Sequence, residues 1–167
     1  DTITGVVLHS EMEQTGTFEC SDATINQLQS NILWGQKGNF VDVPTDCPQR
    51  DERLGWTGDI QVFVRTAALN MDVAGFMTKW ANDVTDSQSA AGAVPAVVPG
   101  VIPDLKDGGP AWADAAVICP WTIYLAYGDK SILENNYATM TKFMDYLLNE
   151  SSNLIRCAPG YKGWMGF

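Results

Sequence analysis

The sequence has little of what metal, nucleotide and histidine-dependent sites require. It contains one histidine, His9, and four scattered cysteines without a CxxC pair. Zinc sites need convergent Cys and His ligands at characteristic spacings, and these spacings are absent. Neither GxGxxG nor GxxxxGK[ST] occurs, so no phosphate-binding loop is indicated. We therefore expect no metal, no nucleotide cofactor and no Ser–His or Cys–His nucleophile.

Positive charge is also scarce. The 167 residues include 10 Lys and Arg against 20 Asp and Glu, a formal net charge of −10. Nucleic-acid phosphates and anionic membrane surfaces are recognised by clustered basic residues, and the sequence has no such cluster. It also has no apolar run approaching the ~18 residues of a spanning helix. We expect neither nucleic acid nor a membrane as a partner.

The N-terminal residues lack the basic-then-apolar pattern of a secretory signal. The spacing of the cysteines predicts free thiols rather than a disulfide framework, which favours a reducing compartment such as the cytoplasm but leaves the compartment open. The cysteines are Cys20, Cys47, Cys119 and Cys157.

What the sequence does have is hydrophobic residues (46%) at helical spacing, enough to bury a core. Residues 1–19 read as an extended segment. Helices are predicted from Ser21 or Asp22 to Gly35 or Gly38, and over 57–70, 72–84, 111–127 and 129–147. The fold class is therefore mainly α, with long loops at 39–57 and 88–110. The fourth helix is apolar on nearly every face, so we expect it to be buried all round. Trp34, Trp80 and Trp121 are expected in the core.

The first long loop carries the reactive groups. Residues 42–59 hold five carboxylates, two arginines and Trp56. Pro44 and Pro48 stiffen the backbone, and the acids outnumber the bases, which leaves carboxylates unpaired. A solvated loop with local ion pairs would explain such a charge pattern. However, glycosidic cleavage needs one carboxyl to protonate the leaving oxygen and a second carboxylate, and an aromatic ring can pack on the apolar face of a sugar.

The string of fourteen residues over 46–59, DCPQRDERLGWTGD, closely resembles the signature of bacterial α-L-rhamnosidases of glycoside hydrolase family 78. Residues 16–22, 39–44 and 109–115 also resemble that family. The resemblance implies an (α/α)6 barrel and inverting hydrolysis of terminal α-L-rhamnosides, so the expected partners are rhamnose-containing glycosides. It implies Glu52 as the general acid. The positions that match rhamnose-binding residues are Asp46, Arg50, Trp56, Asp59 and Trp112, with Trp164 as a further aromatic candidate.

The length departs from the family pattern. Such a barrel has twelve helices, whereas the periodicity predicts about five. No segment matches the surroundings of the general base. We therefore expect residues 20–167 to be an incomplete N-terminal part of the catalytic domain, preceded by the extended segment 1–19. We expect this chain to be inactive alone, and its unpartnered apolar helices to favour self-association.

Three alternatives stay open at the level of sequence. The chain could bind carbohydrate without hydrolysis, as a binding fragment or pseudoenzyme. It could belong to another (α/α)6 glycosidase or lyase that acts on a different sugar. It could also be a helical scaffold whose acidic loop is merely solvated, although a match of fourteen residues argues against that reading.

Overall fold

Helices dominate the computed structural model, which describes residues 1–156. The prediction of a mainly α fold with five helices is confirmed. The helices are α1 (Ala23–Asn39), α2 (Thr57–Asn70), α3 (Ala74–Ser87), α4 (Ala115–Tyr127) and α5 (Ser131–Asn149). Two short antiparallel hairpins accompany them, β1–β2 (Phe40–Val41 and Val43–Pro44) and β3–β4 (Ser151–Ser152 and Ile155–Arg156), with a 3-10 turn at Pro103–Leu105.

Helix α1 starts where a capping side chain is available. The carboxylate of Asp22 accepts hydrogen bonds from the amides of Thr24 and Ile25, which satisfies free donors of the first turn. The predicted end near Gly35 or Gly38 is confirmed at the second glycine, since the helix ends at Asn39. Its last turns are held by Gln36, which is buried and donates to the carbonyl of Ala67 at 3.3 Å. This contact with α2 compensates for the weak helix propensity of glycine.

The core lies between α2, α3, α4 and α5, with α4 packed against the other three. Helix α3 contributes the largest fully buried side chain, that of Trp80. Burial of an aliphatic or aromatic side chain stabilises the fold by about 1.5–3 kcal/mol, so this cluster holds the helices together. Its principal members are Ile60, Val64, Ala67, Met77, Trp80, Val84, Cys119, Ile123, Ile132 and Phe143.

Helix α4 differs from the prediction in two respects. It begins at Ala115 rather than at residue 111, because residues 110–114 form turns. It is also not buried all round, since the packed helices cover only one side and a stripe of Ile118, Trp121 and Leu125 is exposed. The expectation that Trp34 and Trp121 belong to the core was wrong for the same reason: their side chains are at least half exposed.

The first nine residues lie outside the helical core. Residues 1–9 are exposed, whereas Met12 is buried in the core and the residues around it are joined to the core by backbone hydrogen bonds. The amide of Ser10 donates to the carbonyl of Phe40 at 2.9 Å, and Gln14 forms an isolated antiparallel bridge with Met71.

The second long loop has an interior part. Its residues 92–98 are buried, as its apolar content predicted. Within the described residues, Cys20, Cys47 and Cys119 are free thiols, whereas Cys157 lies outside them. The longest and most apolar helices of residues 1–156 fall short of what a membrane crossing requires.

Candidate active site

The hairpin β1–β2 fixes the entry to the acidic loop. The turn residue Asp42 has a φ of +66°, a left-handed conformation that Asp tolerates better than most residues. The ammonium group of Lys79 on α3 binds the Asp42 carboxylate at 3.0 Å and that of Asp83 at 2.8 Å. After the hairpin, the amide and hydroxyl of Thr45 both donate to the carbonyl of Asn39 at 3.0 Å. The chain therefore enters the loop in a fixed direction.

The loop then folds back on itself at Asp46. The amide of Asp46 donates to the carbonyl of Leu54 at 3.0 Å, and the amide of Leu54 donates to Asp46 Oδ1 at the same distance. The Asp46 side chain is only 6% exposed. This closure brings Glu52 back beside Asp46, so the two carboxylates share one region although six positions separate them.

Arg50 connects these carboxylates. Its Nε donates to Glu52 Oε2 at 2.7 Å, and its Nη2 lies 3.5 Å from Asp46 Oδ2. The guanidinium is about half exposed, so the pairs contribute little to stability and mainly orient the side chains. A single guanidinium group therefore forms ion pairs with two carboxylates.

The second long loop supports the acidic loop from behind. The amide and hydroxyl of Thr57 both donate to the carbonyl of Ala96, at 2.9 and 3.0 Å. The amide of Val98 donates to the carbonyl of Gly55 at 2.8 Å, and Trp56 forms an antiparallel bridge with Val97. Trp56 is therefore held on a backbone that is hydrogen-bonded on both sides.

These elements enclose a cleft of about 770 Å³, a size typical of small-molecule sites. All the site residues predicted within residues 1–156 line it: Asp46, Arg50, Glu52, Trp56, Asp59 and Trp112. Trp164 lies outside the described residues. The structure thus brings together side chains that span 67 positions of the sequence.

Trp112 reaches the cleft by packing over the first turn of α2. A Cβ atom at Gly58 would lie 2.8 Å from Trp112 Nε1 and 2.9 Å from Cδ1 and Cε2. Only glycine leaves room for the indole at this position.

The surroundings of the Asp59 carboxyl disfavour its charged form. Asp59 lies in the first turn of α2, where the helix dipole favours a negative charge. Desolvation nevertheless raises the pKa of its carboxyl, and the neighbouring charges of Asp46 and Glu52 raise it further.

One group of donor atoms could in principle hold a metal ion. Oxygen and sulfur atoms of Asp46, Cys47 and Glu52 all lie within 4.8 Å of one another. The group fits a metal poorly, because Arg50 already supplies a cation to both carboxylates. Desolvation, followed by the hydrogen bond to Asp46, also raises the pKa of the Cys47 thiol, which favours the protonated form that does not bind metals.

Sequence reasoning missed the apolar floor of the cleft. Phe40 and Phe63 line it, and the Phe40 ring stacks on Phe76 with centroids 4.6 Å apart. Phe40 belongs to the stretch 39–44 that resembles the rhamnosidase family, and this resemblance was the available signal.

Comparison with known proteins agrees with this geometry. Residues 13–166 match the family model of the bacterial alpha-L-rhamnosidase six-hairpin glycosidase domain. An alpha-L-rhamnosidase of Streptomyces avermitilis is 47% identical over 163 residues, covering 98% of this chain and 16% of the relative. An alpha-L-rhamnosidase of Formosa agariphila is 45% identical, covering 98% of this chain and 18% of the relative. This chain thus spans less than a fifth of these relatives.

A solved structure shares the fold. The crystal structure of the Streptomyces avermitilis alpha-L-rhamnosidase complexed with L-rhamnose matches with a TM-score of 0.87 at 46% identity. The match covers 93% of this chain and 15% of that structure. The predicted fold class, a part of a six-hairpin helical barrel, is therefore confirmed.

Proposed function

The chain belongs to the bacterial α-L-rhamnosidase six-hairpin glycosidase family, and from this membership we propose that it carries the acid side of an active site that hydrolyses terminal α-L-rhamnosides. The observation that carries the proposal is the cleft whose lining includes both Glu52 and Arg50 and two tryptophans, Trp56 and Trp112. A sugar has one apolar face, on which the aromatic rings can pack, and hydroxyl groups at its edges, to which the carboxyl and the guanidinium can bind.

In this proposal Glu52 protonates the glycosidic oxygen as the bond to the sugar breaks. Arg50 holds Glu52 Oε2 at 2.7 Å and stabilises the carboxylate that remains after proton transfer. The proton therefore leaves from a carboxyl group whose position is fixed before the substrate binds, which lowers the cost of orientation.

The other polar groups bind the sugar. Carboxylates accept hydrogen bonds from hydroxyls. Asp59 lines the cleft, and in this proposal its carboxylate accepts hydrogen bonds from hydroxyls of the sugar. Asp46 contributes from the base of the cleft and also keeps the loop closed through Leu54. Trp56 and Trp112 cover the apolar face of rhamnose.

We propose that the reaction inverts the anomeric centre, which needs a second carboxylate ~6.5–9.5 Å from the acid to activate water. Asp46 does not suit this role. Its carboxylate lies within 4.8 Å of that of Glu52, and its two oxygens are held by Leu54 and Arg50. The base is therefore a carboxylate that faces Glu52 from the opposite side of the sugar ring.

The test measures hydrolysis by the full natural protein and its Glu52→Gln variant. We expect the variant to lose a factor of about 10²–10⁴ in rate, because glutamine cannot donate a proton to the leaving oxygen. The loss should be larger for methyl α-L-rhamnoside than for p-nitrophenyl α-L-rhamnoside, whose leaving group needs less protonation. L-Rhamnose binding, measured by calorimetry, should be retained.

Glu134→Gln on the exposed face of α5 is the matched control and should hydrolyse at the parental rate. Parental activity in Glu52→Gln would show that the acid is another residue. A parent that binds L-rhamnose but hydrolyses neither glycoside would instead identify a carbohydrate-binding protein without catalysis.

A further inference from the structure

A second cluster of charged and hydroxyl groups lies outside the cleft and takes no part in the chemistry above. Asp107, in the second long loop, accepts a hydrogen bond from the Tyr146 hydroxyl of α5 at 2.7 Å and a charge-assisted one from Arg156 of β4. Its other oxygen, Oδ1, accepts from the amide of Gly109 at 3.0 Å. We call Asp107, Tyr146 and Arg156 the anchor cluster.

The anchor cluster is largely shielded from solvent. The side chain of Arg156 is 9% exposed and that of Asp107 is 22% exposed. The guanidinium also lies over the Tyr146 ring, 5.1 Å from its centroid. Burial, followed by the hydrogen bond to Asp107, raises the pKa of Tyr146 to about 12, so its hydroxyl remains a donor at neutral pH. If one side chain of the cluster is removed, a charged or polar group that is shielded from water loses its hydrogen-bond partner.

The loop that Asp107 secures leads directly to the cleft. The amide of Gly108 donates to the carbonyl of Val94 at 2.8 Å, and the amide of Ala113 donates to that of Gly109 at 3.1 Å. Between them Ala111 has a φ of +67°, a left-handed conformation that residues other than glycine rarely adopt. The surrounding contacts must hold this turn, because the residue itself does not favour it.

Trp112 follows the strained residue and reaches the cleft only if the turn keeps its shape. Its indole fits against Gly58 with no space to spare, as the distances of 2.8–2.9 Å from an added Cβ atom indicate. Only four residues therefore separate Asp107, which is bound to α5 and β4, from Trp112 in the wall of the site.

We infer that the anchor cluster positions Trp112 for sugar binding, with Asp107 as the residue that transmits the constraint from α5 and β4 to the turn 107–112. The inference rests on the proposed function for its effect on catalysis. The three residues are positioning residues, since none of them lines the cleft.

The test compares Tyr146→Phe with Tyr137→Phe in the full natural protein. Both remove one phenolic hydroxyl from α5, but Tyr137 is 66% exposed. With 5-fluorotryptophan incorporated, the fluorine resonance of Trp112 is assigned by its loss in Trp112→Phe. We expect this resonance to shift or broaden in Tyr146→Phe and to stay unchanged in Tyr137→Phe.

The kinetic readout separates positioning from chemistry. Losing one hydrogen bond of this kind is worth about 1 kcal/mol, so KM for p-nitrophenyl α-L-rhamnoside should rise about fivefold in Tyr146→Phe. The kcat should change by less than about twofold, because Glu52 and Arg50 are untouched. Asp107→Asn, which removes the charge but keeps the shape, should displace the same fluorine resonance.

The inference is overturned if both Tyr146→Phe and Asp107→Asn leave the Trp112 resonance and KM as in the parent. A lower melting temperature with no change in either readout would assign the cluster a role in stability alone, which also overturns it. If the parent neither binds nor hydrolyses rhamnosides, the proposed function fails, whereas the fluorine resonance still tests the anchor cluster.

Discussion

The carboxylates of the cleft differ more in their surroundings than in their chemistry. Asp46 is buried and hydrogen-bonded to the loop backbone, and Glu52 is paired with Arg50. Asp59 has neither partner and carries a raised pKa at the N-terminus of a helix. Here desolvation and two like charges outweigh the dipole, whose effect is typically 0.3–1 kcal/mol. The cleft therefore holds three carboxyl groups in three different surroundings.

Asp59 should reduce stability at neutral pH. A raised pKa means that the folded protein binds this proton more tightly than the unfolded chain does. The free energy of unfolding therefore falls as the pH rises from the ordinary value of 3.8 through the folded pKa. Asp59→Asn should melt at a higher temperature than the parent at pH 7, and the gain should vanish below pH 3.8. Calorimetry at both pH values measures this.

The matched control is Asp104→Asn, because Asp104 is an exposed carboxylate that does not line the cleft. It should change the melting temperature little at either pH. A gain in Asp59→Asn that is equally large at both pH values would contradict the electrostatic explanation. The same variant should bind L-rhamnose less tightly, as expected where a site sacrifices stability for function.

Among the elements, the buried stretch 92–98 has the largest influence on the site. It is formally a loop, yet it pairs with residues 55–57 through backbone hydrogen bonds and excludes water from them. An acidic loop with two prolines would otherwise have few contacts to hold its shape. The rigidity of the site thus comes from a segment that contributes none of the residues proposed to bind the sugar.

Gly55 is the closest point of this pairing. A Cβ atom there would lie 2.0 Å from the carbonyl oxygen of Val98, and both sides of the contact are backbone. Gly55→Ala should therefore lower the free energy of unfolding by about 1–3 kcal/mol, as overpacking generally does. Chemical denaturation measures the change.

Gly75→Ala is the opposite control, since no atom lies within 4 Å of its added Cβ and the residue is exposed on α3. It should raise stability by up to about 1 kcal/mol by restricting the unfolded chain. A Gly55→Ala variant as stable as the parent would mean that the pairing of 55–57 with 96–98 is looser than described.

At the scale of the whole molecule, apolar surface is left uncovered. Helix α4 exposes Ile118, Trp121 and Leu125 at spacings that align them on one face. The core covers only the opposite face of this helix. Such a stripe is a surface that association would bury, at about 25 cal/mol per Å².

We therefore predict that the chain of 167 residues self-associates through α4. In sedimentation velocity, the chain should sediment faster than a monomer, and its sedimentation coefficient should rise with concentration. The double variant Trp121→Lys, Leu125→Lys should be monomeric at the same concentrations, because charges on the stripe cannot be buried without a partner.

The control changes two exposed apolar residues elsewhere, Ile3→Lys and Leu8→Lys, and adds the same charge. It should associate as the parent does. A parental chain that is monomeric and melts cooperatively would contradict the prediction, and so would association that the α4 variant leaves unchanged.

Much of the fold could be predicted from the sequence because helices are local. The period of the apolar residues and the cap at Asp22 determined five helices and their approximate ends. Distant contacts decided what the local pattern could not: α4 starts later than predicted because the preceding residues form the turn that carries Trp112. Helix α1 passes Gly35 without a break because Gln36 is held by Ala67.

The sequence by itself determined which residues are candidates for the chemistry, since the string at 46–59 holds Glu52, Arg50 and Trp56 within one loop. Only the tertiary structure decided what each group experiences. Burial, the separation of charges and the fit of Trp112 on Gly58 depend on distances between segments far apart in the chain. The anchor cluster joins Asp107 to residues 39 and 49 positions away, a contact that no local pattern encodes.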